Sequence, residues 1–496
     1  MGIKHLAKRG LGIYKDFKRV NISEVQKTTR NTDSIKLFGF VKCFNEGKNG
    51  NLERCLNHLS AFCNDIVLCD DDSSDNSVKI AKKYTKHIIQ MPNNFKEELS
   101  HKQKLLELAA SLDPDWIVSL DPDEIFDRSG EQGGIRSLCQ YGEEHEIDSF
   151  SFLYYNLWKG KEAYRVDELW NKNWQTKLWK NNGNLRFDVQ EGLHLRQYPL
   201  GLVNDRRTDI KIIHHGFSNN KEIDRKYSTY ASLGQSGWAL ERIKDEKNLL
   251  LKKFSKDWFP LSTMKITVVC LIYKSIGYAN FVLSSFNKHT CRKGRDIDFL
   301  FVANDPTDEL LEHLSEKKIQ HLLYRNNIPN ENYLKRVYRA WNYGGFNAPG
   351  DIIVFVNSDM AFSDKWLDNL VRNLREDSIV TSRLVESGKL RSGKYGIENN
   401  FGRTYSKFDD DAFQRFAKKI STHEIKDGGL FMPCAIHKDL FIKSGGFPIG
   451  NRTEEDSTIT PGDRIFFYEK LLPMGIKHYT VFDSIVYHIQ EGEIDS

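Results

Sequence analysis

The sequence contains no apolar run long enough to cross a membrane. A membrane-spanning helix needs about 20 consecutive apolar residues, whereas the longest apolar stretch in the 496 residues extends only from Ile266 to Tyr273. An excess of one charge is missing as well, because 72 Lys and Arg residues are offset by 68 Asp and Glu residues, which leaves a net charge of +4. A protein whose whole surface binds nucleic acid carries a larger positive excess. We therefore expect neither a transmembrane protein nor a nucleic-acid-binding one.

Closely spaced cysteines are also missing. No two of the eight cysteines have the C-x-x-C spacing of a zinc or redox site, and several lie in apolar runs that are typical of strands. Disulfide frameworks belong to short, cysteine-dense secreted chains. Lys4, Lys8 and Arg9 interrupt the apolar stretch that a signal peptide would need. We expect reduced core cysteines in a cytoplasmic protein.

The first 20 residues carry a net charge of +5, so the other 476 together come to −1. They contain six basic residues and a single acidic one, Asp16. Apolar residues at helical spacing would let this segment lie on an anionic membrane surface as a peripheral contact. Gly10 and Gly12 interrupt that stripe, which favours a solvated start or a helix docked on the body. Both interpretations stay open, and we assign residues 1–33 to a basic arm.

Strands alternate with helices in two separate parts of the sequence. The first part has predicted strands at 36–44, 65–69, 87–90 and 116–120, with predicted helices at 52–62, 77–84 and 97–111. The second part has predicted strands at 264–273, 298–303 and 351–356. This alternation predicts an α/β fold with mostly parallel, Rossmann-like sheets. We predict two such domains in tandem, at 34–260 and 264–496, with a charged helix at 241–257 before the linker.

Acidic residues follow two neighbouring predicted strands of the first domain. Asp70 to Asp75 follow the strand at 65–69, and Asp121-Pro122-Asp123 follow the strand at 116–120. Ligands of open parallel sheets bind beyond the carboxyl ends of the strands, so these carboxylates should line one crevice. A D-x-D pattern suits Mg²⁺ or Mn²⁺, which can also bind the oxygens of a diphosphate. Either segment alone is typical of a solvated loop, but together they predict a cation site.

These segments resemble those of a known family. "CDDDSSDNS", "DWIVSLDPDEIF" and "FNEG" are similar to signatures of family 2 inverting glycosyltransferases with the GT-A fold, in the variant of lipopolysaccharide-core-type enzymes. The resemblance covers about residues 35–230, and Asp72 departs from it because the family usually has Gly there. It implies two GT-A domains in tandem and sugar transfer from a nucleotide donor.

The resemblance also implies roles for residues at matching positions. Asp71 would contact the base, with Asn45 and Glu46 beside it. Asp121 and Asp123 would contact the ribose and the metal. Lys102 and Gln103 stand where the family places basic or amide residues near the diphosphate. "IIHHGFS" is similar to the family's I-x-H-Y-G-Y segment, which makes His214 the third candidate metal ligand, with a core histidine as the alternative, and puts His215 in place of the Tyr.

An inverting enzyme needs a carboxylate base for the acceptor hydroxyl. "RFDVQEGLH" resembles the family's F-x-G-x-V-H-E stretch, so Glu191 is the candidate base, although Gln190 and Asp188 depart from the pattern; Asp188 is the second choice. Four tryptophans between the D-x-D and this base suit the apolar faces of sugars or the core of a subdomain. They are Trp158, Trp170, Trp174 and Trp179.

The second half resembles the same family more distantly. Asn304 and Asp305 end an early strand and are candidate nucleotide contacts. "VFVNSDMAF" resembles the D-x-D strand with Asn357 in the first position, so Asp359 would bind the metal directly. "IVYHIQEGE" places His488 as the late metal ligand. "GDRIFFYEKLLPMGIKHY" resembles a helical segment of the family, which makes Asp463 the candidate base, with Glu455-Asp456 as a rival.

We therefore expect a bifunctional, metal-dependent, inverting glycosyltransferase that uses Mn²⁺ or Mg²⁺ and UDP- or GDP-sugars, with a glycan, lipid-linked or protein acceptor. One active domain beside a degenerate acceptor-binding domain is the first alternative, since Asn357 and Gly462 depart from the pattern. A sugar-phosphate nucleotidyltransferase would need a Gly-rich loop after the first strand, which neither "FNEGKNG" nor "IYKSIGY" supplies. A non-enzymatic glycan binder is a further alternative.

Overall fold

The computed structural model describes residues 19–29, 32–94, 97–188, 197–234, 236–449 and 465–490. The chain divides into two compact units, residues 1–263 and 264–496. Within the described part, no helix has both the length and the apolar character needed to cross a membrane.

The first unit contains helices α1 to α7 and strands β1 to β11. Its helices are α1 (Ile22–Thr28), α2 (Asn51–Ser60), α3 (Ser77–Ala81), α4 (Glu98–Ser111), α5 (Ile135–Glu144), α6 (Asn220–Ser232) and α7 (Trp238–Lys244). Its strands are β1 (Arg19–Val20), β2 (Leu37–Cys43), β3 (Asp65–Asp70), β4 (His87–Gln90), β5 (Trp116–Ser119), β6 (Glu124–Phe126), β7 (Ser149–Leu157), β8 (Ala163–Arg165), β9 (Trp174–Lys180), β10 (Asp205–His214) and β11 (Leu251–Lys253).

The second unit contains helices α8 to α13 and strands β12 to β21. Its helices are α8 (Ile276–His289), α9 (Asp308–Glu316), α10 (Tyr333–Asn347), α11 (Trp366–Val371), α12 (Asp410–Ile420) and α13 (Lys438–Lys443). Its strands are β12 (Lys265–Ile272), β13 (Asp296–Asn304), β14 (His321–Tyr324), β15 (Ile352–Asn357), β16 (Met360–Phe362), β17 (Ser378–Glu386), β18 (Ile397–Glu398), β19 (Ile425–Asp427), β20 (Cys434–His437) and β21 (Lys477–His488).

The two sheets have the same strand order. The first runs β4-β3-β2-β5-β9-β7-β10 with β6 paired to β10, and the second runs β14-β13-β12-β15-β20-β17-β21-β16. Strand directions match as well, because β9 and β20 are antiparallel to both neighbours, while β7–β10 and β17–β21 are parallel. The prediction of two Rossmann-like α/β domains in tandem is confirmed.

Helices cover the faces of each sheet, which explains why the central strands are apolar along their whole length. All residues of β15 except Asn357 are buried, as are all residues of β2 except Lys42. Helix α2 shows the matching helical pattern, with fully buried side chains at positions i, i+3, i+4 and i+7. They are Leu52, Cys55, Leu56 and Leu59.

The cysteines are all described, and none forms a disulfide. Seven are buried, whereas Cys291 is exposed in the loop after α8. The prediction that every cysteine lies in the core is therefore wrong at Cys291, where the chain has left the apolar helix and has not yet entered β13.

Two predicted boundaries differ from the structure. The fold of the first unit begins before residue 34, because β1 pairs with β10 and α1 buries Ile22 and Val25. Residues 1–18 lie outside the described residues, so contact of the basic arm with a membrane surface stays a prediction. The helix expected over 241–257 ends at Lys244, where Asp245 becomes extended, and β11 then pairs with β8.

Candidate functional site

A cavity of about 1120 Å³ opens at the carboxyl ends of the central strands of the first unit. Its walls come from the segments that follow β2, β5 and β10 and from one face of α6. Asp121, Asp123 and His214 line it, together with Asn45 and Glu46. The predicted crevice beyond the strand ends therefore exists and brings these five candidates together.

Asp123 forms a compact cluster with a histidine and a lysine. The Asp123 side chain accepts a hydrogen bond from Lys226 Nζ at 2.7 Å, and His214 Nε2 lies 3.2 Å from the same Oδ2 atom. Lys226 Nζ is also 3.2 Å from His214 Nε2. Burial raises the pKa of Asp123, but Lys226 and His214 outweigh it and hold the pKa well below its ordinary value.

The strand register and a side-chain hydrogen bond orient His214. It is the last residue of β10, where it pairs with Glu124 of β6 on one side and with Asn156 of β7 on the other. His214 Nδ1 donates to Asn156 Oδ1 at 2.7 Å, which leaves the lone pair of Nε2 facing Asp123. Burial, helped by Lys226, lowers the pKa of His214.

Gly216 provides the space for this cluster. A Cβ atom at position 216 would lie 2.6 Å from both Asp123 Oδ2 and His214 Nε2 and would overlap Lys226 Nζ. A glycine is therefore the residue that lets all three polar groups meet at one point.

Asp71 lies at the end of β3 and is fully buried. It forms an ion pair with Lys42 of β2, and His101 Nδ1 lies 2.9 Å from its Oδ1 atom. Lys42, rather than Asp71, is the member of this group that lines the cavity. Neither Lys42 nor His101 was identified from the sequence, since a lysine in an apolar strand and a histidine in a helix give no local signal.

Asn45 and Glu46 follow β2 and tie the cavity wall together. Asn45 Oδ1 accepts a hydrogen bond from the backbone of Ser74 at 2.8 Å. Glu46 forms an ion pair with Arg225 of α6 at 2.9 Å. Both candidates are therefore held by neighbouring elements at the rim of the cavity.

A buried lysine neutralises the other carboxylates of the D-x-D segment. Lys177 Nζ of β9 is 3.2 Å from Asp121 and 2.6 Å from Glu124. Burial raises the pKa of Asp121, but Lys177 and Lys102 outweigh it and lower the pKa to about 2. Burial and Asp121 instead raise the pKa of Glu124 to about 7. Glu124 was not predicted, although it follows the D-x-D directly, and Tyr154 donates a hydrogen bond to it.

The remaining candidates of the first unit are less central. Lys102 contacts Glu98 at 2.8 Å and bonds to Gln197, both of which line the cavity, while Gln103 accepts a hydrogen bond from the backbone of Phe187. Asp188 is exposed, and Glu191 lies outside the described residues and stays a prediction.

The four tryptophans have different positions. Trp158 and Trp179 are buried in the core, whereas Trp170 lines the cavity. Trp174 lies under the guanidinium of Arg207, 4.8 Å from its ring centre. A sugar-facing position therefore fits Trp170, and the core alternative fits Trp158 and Trp179.

The second unit repeats the aspartate–histidine pair. Asp359 Oδ2 lies 3.3 Å from His488 Nε2, and His488 pairs with Met360 in the register that His214 has with Glu124. His488 Nδ1 lies 3.3 Å from Glu386 Oε1. Burial lowers the pKa of His488, but Asp359 and Glu386 outweigh it and raise the pKa to about 10. Glu386 was not identified from the sequence.

The other candidates of the second unit lie at the ends of β13 and β15. Asn304 is buried, and its Oδ1 atom has no hydrogen-bond partner among the described residues. Asp305 adopts a positive φ of 48°, accepts a hydrogen bond from the backbone of Asn326 and pairs with Arg336. Asn357 ends β15. Asp463 and Glu455-Asp456 lie outside the described residues, so the choice of base there stays a prediction.

The donor atoms of both pairs fit a divalent cation. Each pair offers one carboxylate oxygen and one imidazole nitrogen at 3.2 or 3.3 Å from each other, and such donors suit Mn²⁺ or Mg²⁺. Carbonyl or carboxylate groups behind the two rings fix which nitrogen faces the aspartate, as is usual for metal-binding histidines.

Comparisons with known proteins agree with this architecture. The family model described as "Glycosyl transferase family 2" matches residues 40–198 and 267–440, together more than half of the chain. The "SPbeta prophage-derived glycosyltransferase SunS" of Bacillus subtilis (strain 168) is 22% identical over 205 residues, which cover 41% of this chain and 45% of that protein. The glycosyltransferase SunS of Bacillus phage SPbeta matches with the same values. The chain thus spans a little under half the length of these relatives.

Two solved structures are also similar. One is a crystal structure of GalNAc-T7 with UDP, GalNAc and Mn²⁺, at 15% identity and a TM-score of 0.33, covering 46% of this chain and 44% of that one. The other is S. aureus TarS 1–349, at 14% identity and a TM-score of 0.30, covering 45% and 60%.

Proposed function

The chain belongs to glycosyl transferase family 2, and from this premise we propose that both units transfer sugars from nucleotide-diphosphate donors, with a divalent cation and with inversion at the anomeric carbon. The predictions of a glycosyltransferase and of two GT-A domains in tandem are confirmed. Cation dependence, inversion, activity of both units and the acceptor are the proposal.

One observation supports activity in both units. An aspartate that ends a D-x-D or N-x-D segment meets a histidine at the end of a late strand, and the strand register at that point is the same in both sheets. An aspartate retained by chance would not have its side chain in contact with a histidine 129 residues later, as Asp359 does with His488. The repeated pair is therefore best explained by a repeated chemical task.

The residues divide the task as follows. Asp123 and His214 would hold the cation in the first unit, and Asp359 and His488 in the second. When bound, the cation supplies positive charge that neutralises the departing nucleoside diphosphate. Lys42 and Arg225 line the same cavity and would add positive charge near the phosphates. Glu191 and Asp463 would accept the proton of the acceptor hydroxyl.

Separate replacement of Asp123 and Asp359 by Ala tests the proposal. Transfer from a panel of UDP- and GDP-sugars with Mn²⁺ should fall in each variant, with a different activity lost in each. Asp224→Ala is the matched control, because Asp224 is an exposed carboxylate of α6 whose partner is Lys244. Full activity in both variants would contradict the proposal.

One working unit beside a degenerate one is the second candidate. It is favoured by Asn357, which replaces the first carboxylate of the D-x-D, and by Asn304, whose Oδ1 atom at the predicted nucleotide position finds no partner in the part of the chain that the structure describes. Loss of activity in Asp123→Ala alone would support this candidate.

A further inference from the structure

Lys226 occupies the place where a cation would bind in the first unit. Its Nζ atom is 2.7 Å from Asp123 Oδ2 and 3.2 Å from His214 Nε2, the two atoms that would ligate a metal. Gly216 leaves room for the ammonium group there and for no additional side chain. The aspartate and histidine of this unit are therefore already in contact with a positive charge that belongs to the protein.

We propose that Lys226 and a divalent cation compete for Asp123 and His214, so that the first unit binds the cation more weakly than the second unit and fills only at a higher concentration. The inference rests on the proposed function, since it concerns the same two cation sites. It makes the ratio of the two activities depend on the supply of divalent cation.

Two cations cannot share these atoms. A cation bound to Asp123 Oδ2 and His214 Nε2 would touch the ammonium group, and like charges at such separations repel strongly in a buried site. Lys226 would therefore have to leave for the metal to bind. Its side chain lines the open cavity and lies against the ring of Phe217, so the displaced ammonium would move into the space where the donor phosphates are expected.

In the second unit, a carboxylate lies behind the histidine of the pair. The position of Asn156 is taken by Glu386, which has the same register to His488 that Asn156 has to His214. A carboxylate behind the ligating histidine increases the basicity of the ring and favours metal binding. Among the described residues, the first unit thus places an amide behind its histidine and an ammonium on its aspartate, whereas the second unit places a carboxylate behind its histidine.

Binding of Mn²⁺ alone to the full chain tests the inference without any measurement of sugar transfer. Free Mn²⁺ is followed by electron paramagnetic resonance during titration. Asp359→Asn leaves the first site and Asp123→Asn leaves the second site, so the affinity of each is measured separately. We expect the first site to bind at least about tenfold more weakly, the size of effect that groups around metal ligands usually have.

Replacement of the lysine in the Asp359→Asn background is the decisive step. Lys226→Met and Lys226→Gln should each tighten Mn²⁺ binding by about tenfold or more, whereas Lys226→Arg should not. Lys172→Met is the matched control, because Lys172 is an exposed lysine that lines the same cavity. Calorimetry of each variant verifies that it is folded, and the Gln variant serves if the Met variant is not.

The outcomes separate this inference from the proposed function. Unchanged Mn²⁺ affinity in Lys226→Met and Lys226→Gln, or equal tightening in Lys172→Met, would overturn the inference and leave the function standing. Mn²⁺ that stays bound when Asp123 and Asp359 are both changed to Asn would overturn the proposed cation sites and the inference with them.

Discussion

The two units share their aspartate–histidine pair but differ in the charges around it. In the first unit, Lys177 contacts Asp121 and Glu124. In the second unit, Asn357 and Met360 take the places of those two carboxylates. The backbone N–H of Asp121 donates to Glu124 Oε2, and in the same way the backbone N–H of Asn357 donates to Met360 Sδ.

The second unit also has an uncharged residue in the place of Lys177. Val118 pairs with Leu178, so Lys177 stands opposite Ser119, two residues before Asp121. In the second sheet Cys434 pairs with Phe355, two residues before Asn357. Cys434 therefore occupies the place of Lys177. The charged side chains of Asp121, Glu124 and Lys177 in the first unit thus correspond to the uncharged side chains of Asn357, Met360 and Cys434 in the second.

The ends of β3 and β13 show a similar exchange. By strand register, Lys42 corresponds to Leu271, and Asp71 corresponds to Asn304. The residue that follows Asp71 or Asn304 has a positive φ in both units, 57° at Asp72 and 48° at Asp305. The ion pair of the first unit thus corresponds to a leucine and an amide. Buried charges are replaced as sets because an unpaired buried charge costs several kcal/mol.

The largest expected effect comes from breaking one such set. Lys177→Met should destabilise the first unit by about 4 kcal/mol, because it leaves buried Glu124 beside Asp121 without a counter-charge. The triple variant Asp121→Asn, Glu124→Met and Lys177→Met makes the set uncharged, as in the second unit. It should cost only about 2 kcal/mol, mainly for the lost partner of Tyr154.

Scanning calorimetry of the full chain measures both variants. Lys180→Met is the control, since Lys180 lies on the same strand and its partner Glu143 is partly exposed. A triple variant that is less stable than Lys177→Met would show that the two units are not interchangeable at this set.

A smaller effect is expected from closing the space at Gly216. Gly216→Ala should lower sugar transfer by the first unit roughly 100-fold, because the new methyl group would push apart Asp123 and His214, and shifts of about 1 Å in a catalytic site have effects of that size. The atoms that must move are ends of side chains, so the melting temperature should change little. Transfer is measured in the Asp359→Ala background, where the second unit is inactivated.

Gly160→Ala is the matched control, because the nearest atom to a Cβ at position 160 is 4.0 Å away. Equal losses in the two alanine variants would contradict the role of Gly216. The second unit has Gln490 two residues after its histidine, in the place of Gly216, so this prediction applies to the first unit alone.

The sequence was sufficient to predict the central strands and the two-domain repeat. The strand expected at 65–69 is β3 (Asp65–Asp70), and that expected at 36–44 is β2 (Leu37–Cys43), since apolar runs that end at polar residues mark strands buried on both faces. The resemblance to the family brought His214 and His488 forward as candidates, and the structure places each beside its aspartate.

The charges that balance the site could not be predicted in the same way. Lys226 belongs to α6, a helix rich in polar residues, and nothing in the local sequence distinguishes it from an ordinary solvated lysine. It contacts Asp123 only because the chain returns after 103 residues. Asn156 and Glu386 likewise reach their histidines through pairing of distant strands. Contacts of this kind follow from topology, which local periodicity does not encode.

The smallest expected effect concerns the carboxylate behind the second histidine. Glu386→Gln should weaken Mn²⁺ binding by the second unit about tenfold, because an amide at this position increases the basicity of His488 less than a carboxylate does. The change makes the second site chemically more similar to the first, where the amide of Asn156 has the equivalent position. Titration in the Asp123→Asn background measures it.

Glu398→Gln is the control for this last change. Glu398 is exposed on the neighbouring strand β18. Among the described residues, its side chain accepts a hydrogen bond from the backbone N–H of Ser392. If both glutamine variants weaken Mn²⁺ binding equally, the effect comes from the net charge of the surface. If only Glu386→Gln weakens Mn²⁺ binding, the presence of an amide behind His214 and a carboxylate behind His488 accounts for part of the difference in Mn²⁺ affinity between the two units.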